Sequence, residues 1–176
     1  QLNLSSAASE ALVRELEAEF FSDMEQLGNL RPDMVLRVTD HIDAVIGYIR
    51  GIVDQEYGYV ADDGVYFDVR KFGARYGKLG VQHGEDDGYT GVSVGKRYRK
   101  DFALWKKAKP GEPTWDSPWG PGRPGWHIEC SAMTHAVFGG EVDIHSGGID
   151  LKFPHHTNEI AQCEAFHDCD GWVRYW

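Results

Sequence analysis

A chain of 176 residues and 19.8 kDa can bury a real core, and its length suggests one domain or two small ones. No run approaches the roughly 20 apolar residues needed to cross a bilayer, the polar start QLNLSS is not laid out as a signal peptide, and three cysteines, an odd number, argue for a reducing compartment, the cytoplasm, over a disulfide framework. The net charge of −10 argues against the chain as a whole wrapping nucleic acid.

The first predicted element is a helix, with Leu12, Leu16, Phe20, Met24 and Leu27 at helical spacing, Ser9 as its cap and Gly28 as its stop. Arg31-Pro32-Asp33 reads as a turn. A second helix follows Thr39, with Ile42, Val45, Ile46, Ile49, Ile52 and Val53 on one stripe, and ends by Gly58. Residues 57–60 and 65–69 flank Asp62-Asp63-Gly64 and predict a hairpin. Residues 71–95 are Gly-rich and polar without a sustained period, which predicts an irregular segment. Lys96, Arg97, Arg99 and Lys100, then Lys106, Lys107 and Lys109, form a basic stretch inside an acidic chain. It reads as a solvated loop or hairpin face, or as a contact for a phosphate backbone.

Residues 110–126 place Pro110, Pro113, Pro118, Pro121 and Pro124 among Trp115, Trp119 and Trp126. Five prolines exclude regular structure while the tryptophans demand burial, so an ordered loop at a domain junction is expected. A short helix over 128–138, a buried strand over 142–145, a glycine turn at Gly147 and Gly148, and a helix over 154–166 follow. Strand, glycine turn and helix in that order form a nucleotide-site arrangement in parallel α/β sheets. The G-x-G-x-x-G fingerprint is absent, so the glycine pair alone is weak support.

Cys130, His155 and Glu159 are the candidate metal ligands. Pro154 is suited to a first helical position, and side chains four apart share a helix face, so His155 and Glu159 can point at one object. Thiolate, imidazole and carboxylate suit Zn²⁺ and leave a fourth position open for a substrate. The plainer readings are Cys130 as a small buried hydrophobe and His155 as a core or capping histidine. Cys163, His167 and Cys169 offer a rival cluster.

Three strings carry a resemblance: DFALWKKAKPGEPTWDSPWGPGR (101–123), PGWHIECSAM (124–133) and DIHSGGIDLKFPHHTNEIAQ (143–162). They resemble the cysteinyl-tRNA synthetases, of the class I aminoacyl-tRNA synthetases; LRPDMVLRVTDHI (30–42) and GVYFDV (64–69) do so more loosely. The resemblance implies an α/β fold, the second half of a class I Rossmann-like catalytic domain with a mixed α+β connecting insertion. Residues 1–32 would lead out of the first Rossmann half, 33–119 would be the insertion, and 120–176 would begin the second half.

The resemblance also implies roles. Cys130, His155 and Glu159 would hold Zn²⁺ at the floor of the amino-acid pocket; Trp126, His145 and His156 would line the cysteine pocket; Gly147, Gly148 and Asp150 would face the adenylate ribose. Trp126 and His145 could also be purely structural. Thr157 stands where the family commonly has an acidic residue and is expected to tune the surroundings. No residue is assigned a certain catalytic role. The implied substrates are cysteine, ATP with Mg²⁺, and tRNA(Cys), with no membrane partner. The family's fourth zinc ligand and its H-I-G-H and K-M-S-K-S type motifs do not occur in the 176 residues, so an internal fragment, inactive alone, is expected. Two other functions compete: a related ligase passing cysteine to a non-tRNA acceptor, and a non-catalytic zinc-binding or interaction module.

Overall fold

The computed structural model describes residues 6–80 and 94–176, which fall into two units, 1–37 and 38–176. In the first, α1 spans Ser6–Gln26. Ser9 is therefore inside the helix and not its cap, because Ala7 and Ala8 are strong helix formers that extend it toward the N-terminus. The end is as expected: Gly28 takes φ +82, and the Gly28 and Asn29 amides donate back to the carbonyls of Glu25 and Met24. Arg37 grips Glu17 through a two-pronged ion pair, at 2.7 and 2.6 Å. Leu12, Leu16 and Phe20 stay exposed.

The second unit is built on α2 (Ile42–Asp54), whose stripe of Val45, Ile49 and Ile52 is fully buried. A hairpin follows, β1 (Gly58–Ala61) and β2 (Gly64–Phe67), joined through Asp62-Asp63 with Ala61 paired to Gly64. Gly64 is required because a Cβ there would collide with the Trp105 carbonyl of the next strand. The short α3 (Val69–Phe72) is capped by Asp68, whose carboxylate accepts from the Lys71 amide at 2.9 Å. Regular structure therefore reaches into the segment expected to be irregular from residue 71, and residues 81–93 of that segment lie outside the described residues.

β3 (Phe102–Lys107) pairs with β2, and β4 (Gly122–Pro124) with β3, giving an antiparallel sheet in the order β1-β2-β3-β4. β4 corrects the expectation that the prolines exclude regular structure. It is an edge strand, where a residue without an N–H is tolerated, and Pro124 pairs with Trp105 there. Trp115 and Trp119 pack against the core as expected, whereas Trp126 remains 54% exposed.

α4 (Trp126–Phe138) and α5 (Thr157–His167) pack on α2 and on each other. β5 (Val142–Ile144) pairs in parallel with β6 (Val173–Tyr175) across α5, a β-α-β unit. The strand expected to be buried is not: Ile144 is 71% exposed, because among the described residues its sheet holds two strands and nothing covers that face. The core joins α2, the four-stranded sheet, α4 and α5 through Val65, Phe67, Leu104, Trp105, Ile128, Ala161 and Trp172. The mixture of a β-α-β unit with an antiparallel sheet is the α/β fold expected. No helix among the described residues is long and apolar enough to cross a membrane.

Candidate metal and substrate site

Cys130 comes from the second turn of α4, His155 from a wide turn over Lys152–His156, and Glu159 from the first turn of α5. Pro154 lies inside that turn, so α5 proper begins at Thr157, three residues later than expected. The turn still leaves His155 beside Glu159. The ligand-bearing atoms of Cys130, His155 and Glu159 all lie within 4.8 Å of one another, the one such group of three or more among the described residues. Cys163, His167 and Cys169 form no such group; Cys163 is instead a core residue.

Glu159 is the centre of this arrangement and is only 1% exposed. Its Oε2 pairs with His145 Nε2 at 2.8 Å. Its Oε1 lies 2.9 Å from His155 Nε2, yet that approach lacks hydrogen-bond geometry and Oε1 accepts no hydrogen bond. Burial by itself would raise this carboxyl, but its pairing with His145 leads the contacts that outweigh burial and hold it below the usual carboxylate range.

His155 Nδ1 meets His127 Nδ1 at 2.9 Å. His127 is buried, and burial followed by the neighbouring His155 lowers its pKa to about 4, so it is neutral at pH 7. One proton lies between the two Nδ1 atoms. Assigning it to His155 leaves the Nε2 lone pair facing Glu159 Oε1, consistent with the missing hydrogen bond there. A buried carboxylate oxygen and an imidazole nitrogen then face one small volume, an arrangement that a cation relieves. Cys130 completes it: burial, then the charges of Glu159 and Glu129, push its thiol up to about 12. The donor set fits a borderline-soft divalent ion such as zinc.

The remaining predicted residues gather around this cluster. The Trp126 ring lies 4.3 Å from that of His155. His145 and His156 are ring neighbours at 5.0 Å, and burial, outweighing the nearby carboxylates, lowers the His156 pKa. Gly147 passes directly under His156, where a Cβ would sit 2.5 Å from the imidazole. Gly148 and Asp150 lie on the exposed turn between β5 and the Lys152–His156 turn, with the Leu151 amide donating to the Gly148 carbonyl at 3.0 Å. Thr157 is buried and donates to the Lys152 carbonyl at 2.8 Å, which steadies the turn carrying His155.

Three neighbours escaped the sequence reading: His127, Trp172 and Trp176. Trp176 stacks on His145 at 4.5 Å, and Trp172, 1% exposed, meets the same ring edge-on at 5.7 Å. The position of His127 beside Trp126 was a signal for it. Nothing local marks the two tryptophans.

Residues 3–176 match the family described as tRNA synthetases class I (C) catalytic domain. The chain belongs to that family. It is 49% identical to the cytoplasmic cysteine–tRNA ligase of Gallus gallus, over 90% of this chain and 23% of the relative. It is 50% identical to the probable mitochondrial cysteine–tRNA ligase of Xenopus tropicalis, over 99% of this chain and 30% of that relative. The cytoplasmic cysteine–tRNA ligase of Homo sapiens is 48% identical over 90% of this chain and 23% of its own length. The chain thus spans about a quarter of the length of the cytoplasmic relatives, and the class I assignment expected from its motifs is correct.

Proposed function

We propose that these residues form part of the catalytic region of an ATP-dependent cysteine–tRNA ligase, with Cys130, His155 and Glu159 holding a zinc ion that selects the amino acid. The observation that carries the metal assignment is the buried Glu159 Oε1, without a hydrogen bond and close to both a thiol and an imidazole nitrogen. Zinc bound there would supply an open coordination position and keep the substrate sulfur as thiolate. This chemistry answers the selection problem. Serine has nearly the shape of cysteine, and discrimination by one small group yields only about 1–3 kcal/mol.

The chain's own residues have separable tasks in this reading. His145 holds Glu159 by Oε2, and His127 fixes the His155 tautomer. Trp126 and His156 bound the cysteine pocket, while Gly147, Gly148 and Asp150 face the ribose of ATP, which binds with Mg²⁺. The substrate carboxylate attacks the α-phosphate and pyrophosphate leaves; a hydroxyl of the terminal ribose of tRNA(Cys) then attacks the cysteinyl carbonyl and AMP leaves. Positioning and charge stabilisation carry this work without a covalent enzyme intermediate. Residues 1–32, 33–119 and 120–176 are assigned to the exit from the first Rossmann half, the insertion and the start of the second half. The cytoplasm is the proposed compartment, as named for the chicken and human relatives.

The test uses the complete protein to which these residues belong. Cys130→Ser should lose zinc together with cysteine-dependent exchange of pyrophosphate into ATP, whereas Asp150→Asn should raise KM for ATP with zinc content unchanged. A Cys130→Ser enzyme with full zinc and unaltered selection against serine would sink the assignment.

A further inference from the structure

The register of the parallel pair sets two rings side by side at the edge of the metal cluster. Ile144 on β5 pairs with Tyr175 on β6, and the His145 amide donates to the Tyr175 carbonyl at 3.0 Å. Successive side chains of a strand point to opposite faces. Ile144 and Tyr175 stand exposed on the open face, so His145 and Trp176, the next residue after each, turn together toward α5, where His145 meets Glu159. Their rings stack, with centroids 4.5 Å and planes 22° apart.

His145 makes one side-chain hydrogen bond, Nε2 to Glu159 Oε2 at 2.8 Å, while its Nδ1 is buried with no hydrogen-bond partner among the described residues. Imidazoles around a metal centre are normally aimed by hydrogen bonds on both nitrogens. The terminal torsion of histidine is broad, so a single hydrogen bond chooses which edge of the ring faces Glu159 but sets its plane loosely. Trp176 supplies the plane, because its indole lies flat on one face of the imidazole. Trp172 meets the same ring edge-on but also belongs to the core, whereas Trp176 is 42% exposed and lies outside it. Core packing therefore does not call for an indole at 176, and its ring meets His145, His156 and Trp172.

We propose that Trp176 is a positioning residue for the metal site: by stacking on His145 it fixes the imidazole plane, and through the hydrogen bond from His145 to Glu159 it holds the carboxylate with Oε1 beside His155 and Cys130. The proposal rests on the reading of Cys130, His155 and Glu159 as zinc ligands. It adds a residue outside the ligand set on which zinc affinity depends.

Two variants of the complete protein separate the flat face from apolar bulk. Trp176→Leu keeps the bulk without the face, and Trp176→Phe keeps both; the partial exposure of Trp176 should let each fold, which metal-free thermal melts check. Trp176→Met takes the place of Trp176→Leu if the latter does not fold. Zinc affinity is measured by competition against a chromophoric chelator, in the wild-type and His145→Ala backgrounds. Trp176→Leu should weaken zinc roughly 10-fold, the lower end of the about 10- to 100-fold that loss of an outer-shell partner costs, and Trp176→Phe should keep most of the affinity. In the His145→Ala background Trp176→Leu should cost nothing further, because the chain of contacts is already broken. Wild-type affinity in Trp176→Leu would overturn the proposal, as would equal losses in both backgrounds, which would leave the indole a packing residue only. Unchanged zinc affinity with a raised KM for cysteine would also overturn it, giving Trp176 to the pocket through His156. If the unaltered protein binds no zinc, the metal reading itself fails, and the proposal with it.

Discussion

Replacing Glu159 by glutamine separates metal binding from folding, because the structure gives the two effects different signs. An amide at this position can keep its oxygen toward His145 Nε2, where Oε2 now lies at 2.8 Å, and place its nitrogen where Oε1 lies, 2.9 Å from His155 Nε2. The amide N–H can then donate to the imidazole lone pair, in place of a carboxylate oxygen that has no hydrogen bond in the wild type. The substitution also removes a buried charge and its desolvation penalty, so metal-free stability should stay within about 1 kcal/mol of wild type or rise. Metal binding responds oppositely. The amide nitrogen is no ligand, and its hydrogen bond occupies the imidazole lone pair as well. Loss of an outer-shell partner typically costs 10–100-fold in affinity, so loss of a ligand that also blocks its neighbour should cost at least about 100-fold, or about 2.8 kcal/mol. Competition against a chromophoric chelator measures the affinity, and thermal melts with and without zinc measure the linked stabilisation. A glutamine variant that binds zinc as wild type does, or that is strongly destabilised without metal, would refute the reasoning.

Two further outcomes follow from the packing and the charges. In metal-free protein the Cys130 thiol, pushed up to about 12, is almost wholly protonated at pH 7 and its thiolate fraction grows tenfold per pH unit toward that value; iodoacetamide labelling read by mass spectrometry should therefore be far slower than for a free thiol of pKa about 8.5, and labelling at the free-thiol rate would contradict the burial argument. Trp105→Ala should destabilise by about 3–5 kcal/mol in urea unfolding, since the side chain is fully buried between the sheet and Trp119 and its indole N–H has no hydrogen bond to lose.

How much of this was legible in advance differs by residue. The α2 stripe, the hairpin at Asp62-Asp63 and the stop at Gly28 were readable, because helical period, strand composition and a glycine in the left-handed region act within a few residues of chain. The pairing of His155 with Glu159 was readable in the same way. It survived even though the backbone there is a wide turn and α5 starts later. Other features depended on neighbours distant in sequence. Pro124 could join a strand only because β4 is an edge, and Ile144 stayed exposed only because β5 has a single partner among the described residues.

By itself, then, the sequence determined the local elements, the types of donor available for a metal and, through its motifs, the family. Tertiary structure alone decided that Cys130 on α4 meets His155 and Glu159 at the start of α5, that His127 faces His155, that Trp172 and Trp176 brace His145, and that the basic run shares a cavity with five aromatic rings. The physical reason is the range of the forces involved. Propensity and turn chemistry are set by adjacent residues, whereas a site is the meeting of side chains that only the packing of α2, α4, α5 and the sheet brings together.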